Sequence, residues 1–258
     1  MKVSKDIVNQ RRVDIMKYIE NHNAATVDEL VNLLHASPAT IRRDLQYWQD
    51  QGAIYRKYGK AILVQAFIED HDYNRNRFIR AIAKRAALYI EDGDIIFINA
   101  SRTALMVSEY LKEKKVTIIT NNIKLSNIKE DGYITWIMTG GQMGPTHSYT
   151  TGDFALMSIG CVTATKCFLG CAGLKENGVS TGGMSEMSVN RAMLAQTAGQ
   201  KFLLCDHSKV GLDSNYYFSD FSDIDYLITD DEADRNIINR IRKNHNINII
   251  KVEPMSND

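Results

Sequence analysis

Apolar residues in the first fifty positions recur at intervals of three and four, which predicts three short helices. Val13, Met16 and Ile19, with Ile15 and Tyr18 alongside, follow Asn9-Gln10-Arg11-Arg12 and define an amphipathic helix that ends near Asn21-His22-Asn23. Thr26-Val27-Asp28-Glu29 reads as a capping box for a second helix, whose buried stripe is Val27, Leu30, Val31 and Leu34. Ser37-Pro38 opens a third, because a serine oxygen caps free N–H groups and proline at the first helical position needs no acceptor. Its apolar positions Ile41, Leu45 and Trp48 leave Ala39, Thr40, Arg42, Arg43, Gln46 and Tyr47 mainly on other faces, and Gly52 stops it. Two short strands then follow, Ala53–Arg56 and Ala61–Val64, joined around Lys57-Tyr58-Gly59-Lys60 as a hairpin.

Residues 65–75, with Glu69, Asp70, His71 and Asp72 close together, lack an apolar period and read as a polar connector. The expected organisation is a small domain at 1–64, a linker at 65–75 and a larger domain at 76–258. From Asn76, the positions Ile79, Ile82, Ala83, Ala86 and Ile90 make a helix face closed by Asp92-Gly93. Short β-branched runs then alternate with helical stretches: Asp94–Ile98, Val116–Thr120, Ile134–Met138, Lys166–Leu169, Phe202–Cys205, Tyr226–Thr229 and Ile247–Val252. That alternation predicts an α/β domain with a mostly parallel sheet covered by helices.

In such sheets ligands bind beyond the carboxyl ends of the strands, so the residues after each run carry the information. They are polar or glycine: Asn99-Ala100-Ser101-Arg102-Thr103, Thr120-Asn121-Asn122, Thr139-Gly140-Gly141, Gly170, Asp206-His207-Ser208-Lys209 and Thr229-Asp230. A helix start beside Ser101, Arg102 and Thr103 offers N–H groups to an anion, and Lys209 supplies a second positive charge. Asn99, Asn121, Glu186 and Asp206 are candidates to pair with hydroxyls of a sugar or polyol. Exposed loops of any α/β fold are also polar, which is the plainer explanation of the same residues.

Charge separates the two parts. Net charge is zero over the chain, yet residues 1–65 carry ten Lys or Arg against seven Asp or Glu. A basic head on a mildly acidic body suits a partner bound by the head alone. No apolar run reaches the roughly 20 residues that span a bilayer, and the first residues lead into no apolar signal core, so a cytoplasmic protein is expected. Cys161, Cys167, Cys171 and Cys205 form no CxxC pair and read as reduced core thiols. His147 and His207 read as hydrogen-bonded loop residues, Met184, Met187, Met193 and Leu194 as core, and no metal or cofactor is expected.

Two short helices joined by a tight turn, the second exposing Arg near its start, match the geometry that inserts a recognition helix into the major groove of double-stranded DNA. Arg42 and Arg43 are the candidate base or phosphate readers, Ser37 and Thr40 candidate phosphate donors, and Gln46 and Tyr47 share the exposed side. Arg56, Lys57 and Lys60 at the hairpin form a wing suited to phosphate contact.

With Ser37-Pro38-Ala39-Thr40-Ile41-Arg42-Arg43-Asp44-Leu45 at its centre, the segment Arg11–Ala61 resembles the DNA-binding domain of the DeoR family of transcription regulators. It has Arg56-Lys57-Tyr58-Gly59-Lys60-Ala61 where that family usually has Arg-x-His-Gly-Gly-Ala, so two wing positions differ. The rest resembles the family's sensor domain: Thr120-Asn121, Gly140-Gly141, Phe168-Leu169-Gly170, Gly178-Val179-Ser180 and Asp206-His207-Ser208-Lys209 stand in family order. The resemblance implies a ribose-5-phosphate isomerase-like, Rossmann-like fold that senses a sugar phosphate or related phosphorylated metabolite. One loop departs from the pattern, with Asn99-Ala100-Ser101-Arg102-Thr103 where the family commonly has Asp-Ser-Gly-Thr-Thr. Losing that glycine restricts backbone approach to a phosphate; Arg102 either replaces the contact or fills the site.

The leading expectation is a homo-oligomeric repressor of a carbohydrate operon, controlled by a phosphorylated effector. The alternative is a sugar-phosphate isomerase with Asp206 or Glu186 as base beside Lys209. A nucleotide-binding reading fails for want of a GxxxxGK[ST] or GxGxxG loop.

Overall fold

The computed structural model describes residues 5–22, 24–50, 54–57, 59–63, 77–124, 132–143 and 149–255. Gly52, Ala53, Tyr58, Val64, the 65–75 connector, Asn76, His147 and the side chain of Lys57 lie outside the described residues. The chain divides into two compact units, Met1–Arg75 and Asn76–Asp258.

In the first unit the elements are α1 (Lys5–His22), β1 (Ala24–Thr26), α2 (Val27–Leu34), α3 (Pro38–Asp50), β2 (Ile54–Lys57) and β3 (Lys60–Leu63). The capping box forms as expected: Thr26 Oγ1 accepts from Glu29 N at 3.2 Å, and Thr26 N donates to Glu29 Oε2 at 2.7 Å. Ile15, Ile19, Leu30, Ile41, Leu45 and Ile54 make the core. Val13, expected on the buried stripe of α1, is exposed, because the inward residues are Ile15 and Ile19 at i and i+4. β1 has no counterpart in the sequence reading. It pairs antiparallel with β3 to give a sheet ordered β1-β3-β2, and three residues are too few to show a period of two.

The second unit opens with α4 (77–87), whose Ile79, Ile82, Ala83 and Ala86 are buried. It continues through β4 (Ile95–Ile98), α5 (Arg102–Leu105) running into a 3-10 turn at Met106–Tyr110, β5 (Val116–Thr120), β6 (Ile134–Met138) and α6 (Asp153–Gly160). Then come β7 (Ala164–Gly170), β8 (Gly173–Lys175), β9 (Gly178–Thr181), α7 (Met184–Ala195), β10 (Thr197–Leu204), β11 (Tyr216–Ser219), β12 (Tyr226–Asp230), α8 (Arg235–Asn244) and β13 (Asn248–Val252). All seven expected runs lie in one sheet, ordered β13-β12-β10-β7-β4-β5-β6 and parallel at every pairing. β10 starts five residues before its expected position because its first half, Thr197-Ala198-Gly199-Gln200, lacks large apolar side chains and carries a register shift.

β8, β9 and β11 form a separate antiparallel sheet that the sequence reading left out. On one face of the main sheet, Phe97, Leu169 and Leu203 pack with Ile159 of α6, Val189 and Met193 of α7 and Ile241 of α8. On the other, Ile96, Ile118, Phe168 and Phe202 pack with α4 and the α5 segment. Two of the expected core groups lie partly at the surface. Met193 and Leu194 are buried, but Met184 is 62% exposed at the first position of α7, and Cys161 is exposed just past α6.

Candidate functional site

In the first unit, Ser37 starts α3. Its Oγ accepts from Thr40 N at 3.2 Å and lies 2.8 Å from Thr40 Oγ1, so the two hydroxyls bond each other. Arg42, Arg43 and Gln46 are exposed on the helix that follows. Tyr47 is half-buried, with the Arg12 guanidinium 3.7 Å above its ring and Trp48 packed edge-on. In the hairpin Arg56 and Lys60 are exposed, and the register sets Lys57 opposite Lys60.

The sequence reading missed Asp44. Its carboxylate is 2% exposed and accepts from Arg11 Nε at 2.6 Å and Arg12 Nε at 3.1 Å, while Trp48 Nε1 donates to the Arg12 carbonyl at 3.0 Å. These bonds set the angle of α3 against α1 and so the direction in which Arg42 and Arg43 project. The signal was present: position 44 falls on the Ile41, Leu45, Trp48 stripe, where a buried carboxylate requires cationic partners.

In the second unit, chain connections run from β4 to β5 and β6 on one side, while β7 begins the other side. The gap between the ends of β4 and β7 is therefore the topological switch point. Asn99 sits there, 1% exposed. Its Oδ1 accepts from Gly170 N at 3.0 Å and Ser101 N at 3.2 Å, and its Nδ2 donates to Gly170 O and Asn190 Oδ1, each at 3.0 Å. Ser101 caps α5 by accepting from Ala104 N, and a β-carbon at 170 would collide with the Ser101 hydroxyl, so glycine is required there. Thr103 is buried and Arg102 exposed on a single α-helical turn, shorter than the helix the sequence suggested.

Thr120 and Asn121 are fully buried at the end of β5; Asn121 Nδ2 donates to Thr150 O at 2.9 Å. Gly140 and Gly141, at φ +65° and +116°, turn the chain after β6, and a β-carbon at 141 would meet the Thr151 carbonyl. Glu186 lies in the first turn of α7. It faces Tyr149, whose phenol is pushed up by burial and by the Glu186 charge. Asp206 is buried and accepts from Ser208 N at 3.1 Å and from the Ser208 hydroxyl, capping the turn His207–Lys209. Lys209 is half-buried; its backbone N–H donates to Asp206 O at 3.0 Å, and its ammonium engages no partner among the described residues. His207 donates its N–H to Asp230 Oδ2 at 2.7 Å, its Nδ1 lies 2.9 Å from Asp230 Oδ1, and burial pushes the Asp230 carboxyl up.

Among the described residues, four buried side-chain atoms at or beside these ends have no hydrogen-bond partner: Asn121 Oδ1, Asn122 Nδ2, Asn190 Nδ2 and Thr229 Oγ1. Each such atom costs roughly 1 to 3 kcal/mol unless something bonds to it. They offer both acceptors and donors, the complement of a hydroxylated ligand.

Two family models match the chain: the DeoR-like helix-turn-helix domain over residues 11–67 and the DeoR C terminal sensor domain over residues 79–231. The HTH-type transcriptional repressor GlcR of Bacillus subtilis (strain 168) is 32% identical over 227 residues, 86% of this chain and 88% of that protein. The HTH-type transcriptional regulator GolR of Listeria innocua is 30% identical over 236 residues, covering 88% and 92%. A lactose phosphotransferase system repressor of Staphylococcus aureus (strain NCTC 8325 / PS 47) is 26% identical over 238 residues, covering 89% and 94%. Among solved structures, ribose 5-phosphate isomerase A of Methanocaldococcus jannaschii is 16% identical at a TM-score of 0.37, covering 53% of this chain and 55% of its own. The eIF2B beta subunit of Chaetomium thermophilum is 15% identical at 0.43, covering 86% and 76%.

Proposed function

The chain belongs to the DeoR family of HTH-type transcription regulators, and on that premise we propose that it represses a carbohydrate operon in the cytoplasm under control of a phosphorylated sugar or related metabolite. DNA binding resides in the first unit. Arg42, Arg43 and Gln46 of α3 enter the major groove, Ser37, Thr40 and Tyr47 flank them, and Arg56, Lys57 and Lys60 of the wing contact phosphates. The protein acts as a homo-oligomer, because paired half-sites reward symmetric readers. The similarity to the lactose phosphotransferase system repressor of Staphylococcus aureus supports the carbohydrate assignment.

The observation that carries the effector reading is the set of polar atoms, unpartnered among the described residues, gathered at the strand ends, with Lys209 beside Asp206 as a cation for phosphate. Asn121 and Glu186 bond the ligand hydroxyls, Gly140, Gly141 and Gly170 permit close approach, and Ser101, Arg102, Thr103 and Thr120 border the site. Asn99 and Asp206 hold the strand ends in place with their internal hydrogen bonds. That use of Asp206 favours a sensor over the isomerase reading, which needs a carboxylate base open to substrate.

The test is the melting of the full chain against a panel of sugar phosphates, polyol phosphates and their unphosphorylated parents, with Lys209→Ala as control. A ligand at about 100 times its Kd stabilises the bound unit by roughly 2.7 kcal/mol. A shift confined to phosphorylated members and lost in K209A supports the reading. A shift equal for the unphosphorylated parents removes the phosphate from it, and turnover of any member moves the protein to the isomerase class.

A further inference from the structure

We propose that Cys171 and Cys205 form a two-thiol oxidation site, closing to an intramolecular disulfide under a hydroperoxide. Gly170, the last residue of β7, is register-paired with Leu204, the last of β10, so the residues that follow, Cys171 and Cys205, bring two thiols side by side. Their Sγ atoms are 3.6 Å apart. Neighbouring strands lie about 4.8 Å apart, inside the Cα separation of about 4.4–6.8 Å that a disulfide tolerates, so closure to an S–S distance of about 2.05 Å needs side-chain movement only. Both residues pack on the same face of the sheet, with Leu169 and Leu203.

The two thiols are unequal. Cys171 is partly exposed, whereas Cys205 is buried and its thiol is pushed well up by its contact with Cys171 and by burial. An oxidant therefore meets Cys171 first, and Cys205 is the resolving partner. The Cys171 thiolate attacks the peroxide O–O bond, taking one oxygen as a sulfenic acid and releasing an alcohol or water as the leaving oxygen takes up a proton. The Cys205 thiol then attacks the sulfenic sulfur, forming the S–S bond and expelling the hydroxyl, which leaves as water with the Cys205 proton. Two thiols are oxidised by two electrons and one peroxide is reduced. Cys161 and Cys167 do not compete within the chain: Cys167 is fully buried with its thiol pushed up to about 12, and Cys161 is exposed beyond α6 with no thiol partner among the described residues. The site abuts Gly170 and Asp206 at the strand ends assigned above to the effector. The test below reads the bond itself, so it stands apart from the effector reading.

The experiment uses the full folded chain carrying Cys161→Ser, which removes the exposed thiol. The chain is treated with one equivalent of hydrogen peroxide, then unfolded in iodoacetamide and digested. The expected product is a peptide pair linked through Cys171 and Cys205, restored to two alkylated thiols by dithiothreitol. With Cys205→Ser added, dimedone traps a sulfenic acid on Cys171; with Cys171→Ser added, no adduct forms at Cys205. Absence of the linked pair in the folded chain, a bond to Cys167 instead, or a dimedone adduct on Cys205 overturns the proposal.

Discussion

Asn99 grips the backbone of Gly170 on both sides, donating from Nδ2 to its carbonyl and accepting at Oδ1 from its N–H, each at 3.0 Å. This clamp joins β4 to β7 where the sheet reverses its direction of winding, and the same Nδ2 ties in α7 through Asn190. Asn99→Ala removes one side chain but strands several buried polar groups, so the expected loss is about 2 to 4 kcal/mol. Asn99→Asp preserves the acceptor and turns a second carboxylate oxygen against the Gly170 carbonyl, and is expected to cost at least as much. Urea denaturation, followed through the transition of the second unit, measures both. A loss below about 0.5 kcal/mol for N99A removes Asn99 from this role.

Asp44 and Arg43 are adjacent in sequence but differ in what they do. Asp44 is buried under Arg11 and Arg12, so Asp44→Ala leaves two cations without their acceptor and is expected to destabilise the first unit by roughly 2 to 4 kcal/mol. Arg43 is exposed, so Arg43→Ala is expected to leave stability within about 0.5 kcal/mol of the parent and to weaken operator binding by roughly 1 to 3 kcal/mol. Thermal melting paired with a mobility-shift titration separates the two. Unchanged operator affinity in R43A takes that residue out of the groove.

The parts legible in the sequence share a physical basis. The helices of the first unit announce themselves through Thr26 and Ser37, whose side chains supply a local capping bond. The parallel strands do so through continuous apolar runs such as Ile95–Ile98, buried on both faces. What stayed hidden depends on residues distant in the chain. Asn99 and Gly170 are 71 positions apart, and a lone Asn after a strand looks the same whether it faces a ligand or a peptide group. The 8–9–11 sheet escaped because Gly173–Lys175 and Gly178–Thr181 are too short for a period, and their pairing with Tyr216–Ser219 is set by tertiary packing. Cys171 and Cys205 showed no spacing motif because strand register, not sequence distance, brings them together.

The wing offers a test of what contributes salt dependence. Lys60 is exposed and lies opposite Lys57 at the end of the hairpin; in the proposed complex its ammonium neutralises phosphate charge without a base edge to read. Lys60→Ala is expected to reduce the slope of log affinity against log salt by about 0.9 and to lower affinity for specific and non-specific DNA by the same factor. Titrations of both DNAs at four salt concentrations measure this. A change in the ratio of the two affinities assigns the wing a part in base recognition.

Acid stability is expected to depend on Asp94, at the end of the sheet away from the proposed effector site. Burial opposes its ionisation, but the Lys166 ammonium at 2.6 Å, the Glu91 N–H and the Thr165 hydroxyl outweigh that and hold its carboxyl below the ordinary value. A carboxyl depressed in the folded state contributes stability that is complete above its unfolded pKa of about 3.9 and is lost as the pH falls through the folded value. Asp230 has the opposite sign: burial raises its carboxyl, so its contribution is present in acid and is lost as the pH rises through the folded value. Asp94→Asn is therefore expected to destabilise the second unit by about 1.5 to 3 kcal/mol at pH 7, with the gap from the parent closing below pH 4. Urea midpoints of parent and D94N between pH 7 and pH 2.5 measure the gap. A gap that stays constant across that range shows that the Asp94–Lys166 pair carries no proton linkage and that the acid limb arises elsewhere.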